Sequence, residues 1–301
     1  MTPSAASFFW LLLSDTISLS AWELALRSSN TVVFCAIDDL IPVSGKPLLG
    51  FPEFLDALLD AGIACVWVSS RNRHQLDASL RRLGHGGPFV AESGSCVYLA
   101  EDYFHLKPAH TARLGRFIAI PVAKPQPAAA AALESLSEET DIAVVSLRSL
   151  SPRELIQNTG LPRSEAESIR QRDFDELFFF AGASEKDIHR FRHQAAHLKL
   201  VVREQGSLWS LAVNSSLPKC IRELRNLYDR AFHKRAFSIG IATAPDSKEL
   251  FPTCDRAILL ADRKTTDASD KPTRGPAPKA VPLFRPESWE QTLEIIESRQ
   301  F

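Results

Sequence analysis

Four apolar, β-prone runs, residues 32–37, 63–68, 237–241 and 257–260, stand out from the mixed pattern of the rest of the chain. Such runs predict parallel strands covered on both faces. Between the first two, "FPEFLDALLDAG" places Phe51, Phe54, Leu55, Leu58 and Leu59 on one helical face and stops at Gly62. Strand, helix and strand make a βαβ unit whose strand ends face a ligand.

The middle of the chain has a different rhythm. Strands near 117–122, 141–146, 176–181, 199–203 and 207–213 interleave with helical stretches, which predicts an inserted α+β lobe. "KPQP" at 124–127 leads into an alanine run that starts a helix, proline being tolerated in a first turn. Residues 261–282, rich in Pro, Lys, Thr and Asp, read as a surface loop, and 286–298 as a closing helix. The expected organisation is an N-terminal extension (1–30), a parallel-sheet core (31–102 and 207–301) and a cap domain (103–206). A chain of 301 residues is long enough for two such lobes.

Composition narrows the partners. With 35 basic and 36 acidic residues the net charge is -1, so no overall field recruits nucleic acid or an anionic membrane. The five cysteines, at 35, 65, 96, 220 and 254, form no CxxC pair and read as reduced packing residues of a cytoplasmic protein. "FFWLLL" at 8–13 is too short to span a bilayer, has no preceding Lys or Arg, and is followed by Asp15. The segment reads as a docked extension, with Leu19, Trp22 and Leu26 on one side of a continuing helix; a protein partner or a second copy of the chain is its expected contact.

Candidate chemistry gathers after the strands. "VSSR" sets Ser69, Ser70 and Arg71 at a strand end, where a hydroxyl can meet a phosphate. Lys219, in "NSSLPKCIRELRNLY", opens a predicted helix where an ammonium and free N–H groups face an anion. "FSIGIATAPDSKELF" ends a strand in a polar loop holding Thr243, Asp246 and Ser247.

In this order, an acidic first strand, "VSSR", "AESGSCVY", Lys219 and the loop after 237–241, the chain resembles the haloacid dehalogenase superfamily, and within it the mannosyl-3-phosphoglycerate phosphatases. The cap stretch is similar to that family's "TGL...A...REYSEP" at Thr159 to Leu161 and Arg172 to Leu177, and "RGP...RPESWEQTLEII" is similar to its Gly-Pro-x-Gly-Trp helix. The resemblance implies an α/β fold, a Rossmannoid parallel-sheet core with an inserted α+β cap. It also implies a small phosphorylated substrate, Mg²⁺, and a cap that recognises substrate through Arg172, Asp173 and Glu176.

The same resemblance marks what is missing. The family's first strand reads Asp-x-Asp-Gly-Thr, the first Asp attacking phosphorus and the second acting as acid and base. Here those positions are Ala36 and Asp38, so the nucleophile is lost. Both metal-binding acids of the last motif are matched by hydroxyl residues, Thr243 and Ser247. Asp38 and, weakly, Asp246 are left as metal ligands, and Ser69, Ser70 and Lys219 as phosphate contacts. The segment like "GGRFYHL" reads "QGSLWSL", with Ser207 in place of the arginine. Asp38 and Asp39 are adjacent and point to opposite sides of a strand, so sliding the register does not recover the missing pair. The expectation is an impaired phosphatase that binds a phosphorylated sugar or acid or serves as a regulatory partner. The alternative is an active Mg²⁺-dependent phosphatase that uses Asp38 with rearranged acids.

Two patterns are set aside. His189, His193 and His197 recur at metal-ligand spacing, but Ile188, Phe191, Ala195 and Leu198 mark the buried face beside them, so the histidines face solvent. "GHGGP" at 84–88 lacks the following Lys-Ser/Thr of a phosphate loop and reads as a helix-to-strand turn.

Overall fold

The computed structural model describes residues 29–42, 46–101, 103–104, 108–243, 248–261, 280–284 and 289–299. The extension expected over 1–30 and the loop over 261–282 fall almost wholly outside them, as do Asp246 and Ser247. The first elements are β1 (Thr31–Ala36), α1 (Phe51–Asp60), β2 (Ala64–Val68), α2 (Arg73–Arg82), β3 (Phe89–Ala91), β4 (Cys96–Ala100), β5 (Ala112–Leu114) and β6 (Phe117–Pro121). Next come α3 (Gln126–Thr140), β7 (Val144–Ser146), α4 (Pro152–Thr159), α5 (Arg163–Ile169), β8 (Asp175–Phe180), α6 (Glu185–His197), β9 (Leu200–Gln205) and β10 (Leu208–Val213). The last are α7 (Leu217–Phe232), β11 (Phe237–Ala242), β12 (Arg256–Ala261), β13 (Ala280–Phe284) and α8 (Trp289–Ser298).

The chain forms two compact units, Met1–Phe34 with Leu48–Cys65 and Arg225–Phe301, and Cys35–Pro47 with Val66–Leu224. In the first, β11, β12 and β13 pair in parallel. Strand β13 falls in a stretch whose prolines read as loop; Pro282 lacks an N–H donor, which the outermost strand of a sheet tolerates. In this unit Trp289 packs on Phe51 and Phe54 with ring centres 5.3 and 4.9 Å away. Its indole N–H donates to the Leu49 carbonyl at 3.0 Å, so α8 is fastened to α1.

The second unit holds two sheets. Strand β3 pairs in parallel with β2, and β4, β6 and β5 follow antiparallel. Strand β6, expected in the cap, joins β4 here, because "FIAIP" meets "CVYLA" over five residue pairs. The other sheet is antiparallel, in the order β7-β8-β10-β9. Leu133 and Leu136 of α3 and Phe191 and Ala195 of α6 cover it, burying Phe178 and Leu211 between them. Leu198, expected on this face, is 48% exposed because α6 ends at His197.

Helix starts follow local chemistry. Asn72, Ser151 and Ser184 each cap a helix and are capped in return by Gln75, Glu154 and Asp187, which satisfies N–H groups that the first turn leaves free. The turn between β3 and β4 is the most constrained in this unit. Glu92, Ser93 and Gly94 all have positive φ, at 51°, 52° and 90°. A Cβ at Gly94 would stand 2.3 Å from the Leu217 nitrogen, because α7 begins directly against the turn. The Ser216 N–H and the Cys220 thiol both donate to the Gly94 carbonyl. Gly94→Ala therefore meets backbone strain and a main-chain clash together, and should destabilise the protein by at least about 2 kcal/mol in urea unfolding. Unchanged stability would mean that α7 can move off the turn at no cost.

Candidate functional site

Ala36 closes β1 and is 3% exposed. Beyond it, the Ile37 N–H donates to the Val68 carbonyl at 3.1 Å, and the Leu40 and Ile41 N–H groups both donate back to the Ile37 carbonyl. This tight turn leaves Asp38 half-buried and Asp39 exposed. Both acids lie in this turn, beyond the end of β1 at Ala36, so the strand alternation expected of them does not apply.

Asp38 is fully engaged. The Ser69 hydroxyl donates to its Oδ1 and the Ser70 N–H to its Oδ2 at 2.7 Å. Arg71 adds an ion pair, its Nε 3.5 Å from Oδ1, while its Nη2 donates to the main-chain carbonyls of Asp38 and Ile41. Burial pulls the Arg71 guanidinium below its ordinary pKa and the Asp38 charge pulls it back. Among the described residues its Nη1 is buried with no hydrogen-bond partner. A fixed cation with a spare donor therefore stands beside Ser69.

A second cluster joins the β3–β4 turn to the segment leading into β8. Glu92 is 1% exposed and accepts from three successive N–H groups, those of Asp173, Phe174 and Asp175, at 2.9, 2.8 and 2.9 Å. Arg172 forms a two-pronged pair with Asp175, at 2.5 and 2.7 Å, and its Nη2 also donates to the Ser70 carbonyl at 2.8 Å. Asp173 accepts from Arg73 Nε and from the Tyr98 hydroxyl, both at 2.9 Å. Asn72 reaches the Ser168 carbonyl at 2.7 Å. Glu92, Arg73 and Tyr98 were not singled out by sequence; the positive φ at Glu92 is the backbone feature that aims its carboxylate.

Glu176 lies in the cap sheet, accepting from Gln126 and Ser146, with Arg148 3.9 Å away. Burial raises its pKa, and the Ser146, Gln126 and Arg148 contacts oppose the rise. Lys219 is exposed in the first turn of α7. Thr243, which follows β11 in the first unit, is 5% exposed. His189, His193 and His197 are exposed on α6. All five cysteines are free and buried, and burial pushes the Cys65 and Cys254 thiols up to about 12, which leaves them unreactive.

Magnesium takes hard oxygen ligands and needs carboxylate charge. Ala36 offers no donor, and both Asp38 oxygens already serve Ser69, Ser70 and Arg71. No group of three His, Cys, Asp or Glu side chains is arranged for a metal among the described residues. These donors do not by themselves make a magnesium site.

No family model matches the chain. A solved haloacid dehalogenase-like hydrolase from B. subtilis superposes with a TM-score of 0.56 at 12% identity, covering 90% of this chain and 100% of that one. This is a haloacid dehalogenase-like fold. The parallel-sheet core with an α+β cap expected from sequence is borne out. Curated relatives of this haloacid dehalogenase-like chain include a glucosyl-3-phosphoglycerate/mannosyl-3-phosphoglycerate phosphatase of Methanococcoides burtonii, 23% identical over 181 residues. That match spans 59% of this chain and 65% of the relative, just under two thirds of its length. A mannosyl-3-phosphoglycerate phosphatase of Pyrococcus furiosus is 22% identical over 241 residues, 79% of this chain and 94% of the relative. Among the described residues no helix is long and apolar enough to cross a membrane.

The buried junction has a pH signature. Burial and the nearby Asp175 carboxylate push Glu92 from 4.5 up to about 8, against the pull of Arg172 and the backbone N–H groups. An acid whose folded pKa lies above its unfolded value lends stability at low pH and loses it as pH rises through the folded value. Urea unfolding should therefore show stability falling between about pH 4.5 and 8. Glu92→Gln, which cannot ionise, should flatten that fall; an equal fall in the variant would assign it to another group.

Proposed function

We propose that this chain binds a phosphorylated sugar or acid through a phosphatase-type strand edge and does not hydrolyse it by the aspartyl-phosphate route. The observation that carries the reading is Ala36, a buried methyl group at the end of β1 where the resemblance expects the attacking carboxylate. Loss of a covalent nucleophile lowers turnover by about 10⁴ to 10⁶. Asp38, the remaining acid, is committed to Ser69, Ser70 and Arg71. Phosphate recognition is supported by the same three residues. The Ser69 hydroxyl and the Ser70 N–H are donors of the kind that phosphoryl oxygens accept, and the Arg71 guanidinium adds positive charge beside them. An incoming phosphate competes with the Asp38 carboxylate for the first two. Arg172, Asp173 and Glu176 contribute to ligand binding on this reading by holding the cap segment and its polar cluster in place.

Two measurements test the proposal. With mannosyl-3-phosphoglycerate and Mg²⁺, phosphate release should not exceed that of an Asp38→Ala control; Mg²⁺-dependent release that the substitution abolishes would establish the alternative, an active enzyme using Asp38. In calorimetry with 3-phosphoglycerate, Asp38→Ala should tighten binding several-fold by removing a competing anion, and Ser69→Ala should weaken it. If Asp38→Ala weakened binding instead, the carboxylate would be a ligand contact and not a competitor.

A further inference from the structure

The first unit carries a cavity of about 320 Å³ whose walls include Asn30, Arg235, Phe237, Asp255, Arg256 and Arg299. It opens at the starts of β11 and β12, whose first residues are Phe237 and Arg256. The two strands are parallel, so their starts share one edge of the sheet. Thr243 follows the other end of β11, about 20 Å away at the rise of an extended strand. The cavity is therefore at the opposite end of β11 from Thr243.

Its charge is unbalanced. Among the described residues the guanidinium groups of Arg235, Arg256 and Arg299 line it, with the carboxylate of Asp255. That carboxylate is already occupied. The Ser238 N–H and hydroxyl donate to it at 2.9 and 2.7 Å, Arg225 at 3.0 Å and Arg235 at 2.7 Å. Arg299 is held by neutral partners, with its Nη2 donating to Asn30 Oδ1 at 2.6 Å and to Thr31 Oγ1 at 3.1 Å. Its guanidinium carbon stands 5.0 Å from the centre of the Phe237 ring. Arg256 Nη1 donates to a main-chain carbonyl, that of Asp255, at 2.8 Å. Among the described residues Arg225 and Arg235 share the one Asp255 carboxylate and Arg299 is held by neutral partners, so guanidinium charge here exceeds the carboxylate charge that meets it, which favours an anion.

The geometry points to a second anion site in this cavity of the first unit, one that takes a small diphosphate-class polyanion at the end of β11 opposite Thr243. Planar guanidinium forks suit phosphoryl oxygens, two adjacent phosphoryl groups allow Arg299 and Arg235 to be engaged together, and the volume lies at the small end of ligand pockets.

Titration of the full chain with inorganic pyrophosphate tests the inference. At low salt, calorimetry should show binding tighter than about 1 mM that weakens steeply with added NaCl. Arg299→Gln and Arg235→Gln should each weaken it about tenfold or more. Ser69→Ala, in the second unit, should leave this component unchanged. The Arg235 side chain is 77% exposed, so its variant keeps the fold even if Arg299→Gln loosens α8. Absence of heat up to about 5 mM pyrophosphate, binding indifferent to Arg235→Gln, or binding abolished by Ser69→Ala would each overturn the second site. The last result would place pyrophosphate at the motif edge and would leave the proposed function standing.

Discussion

Glu92 imposes the constraint on which the second unit is built. A carboxylate excluded from water must have its lone pairs met, and here three consecutive backbone N–H groups meet them. Those N–H groups belong to the segment that becomes β8, so satisfying one side chain fixes where the cap's central strand begins. The side chain points there only because the turn that carries it runs through three positive-φ residues. That strain, of order 1 kcal/mol or more per non-glycine residue, persists because α7 packs against the turn from the other side. Local backbone geometry, helix packing and the orientation of a strand about eighty residues later are one coupled arrangement.

Asp38 obeys the same rule in a different way. A half-buried carboxylate needs partners for its charge, and Ser69, Ser70 and Arg71 supply them. Arg71 supplies the positive charge from within the chain, and its backbone bonds to Asp38 and Ile41 hold the turn after β1 in shape. Arg172 reaches the Ser70 carbonyl, so the Asp38 turn and the Glu92 junction share a boundary residue. A change at either is felt at the other.

Much of this was legible in the sequence, for physical reasons that differ by element. The buried strands announce themselves as unbroken apolar runs, and α1 by its periodic face ending at Gly62. Strand β13 was hidden because Pro282 argues against a strand, and only its edge position makes the proline harmless. Strand β6 was legible as a strand but its pairing with β4 was not, because pairing partners are not encoded locally. The same limit hid the site's wiring. Ser69, Asp38 and Arg172 could be named from motif position, but Glu92 meets its partners 81 to 83 residues away and Arg73 meets Asp173 100 residues away. No spacing rule connects residues that only the finished fold brings together.

The difference between acids that remain and acids that are missing follows from what each removal leaves behind. Taking away Glu92 would strand three buried N–H groups, and taking away Asp175 would leave Arg172 as a buried unpaired charge; either change costs several kcal/mol. An alanine at position 36 strands nothing. It places a methyl group in an already apolar strand, and it spares Asp38 a neighbouring like charge that in this fold family a metal would otherwise neutralise. On the proposed reading, the architecture of a phosphatase-like fold outlasts its chemistry. The carboxylates that hold the cap segment to the core are bound into the folding free energy, whereas a nucleophile contributes to the transition state and little to the fold.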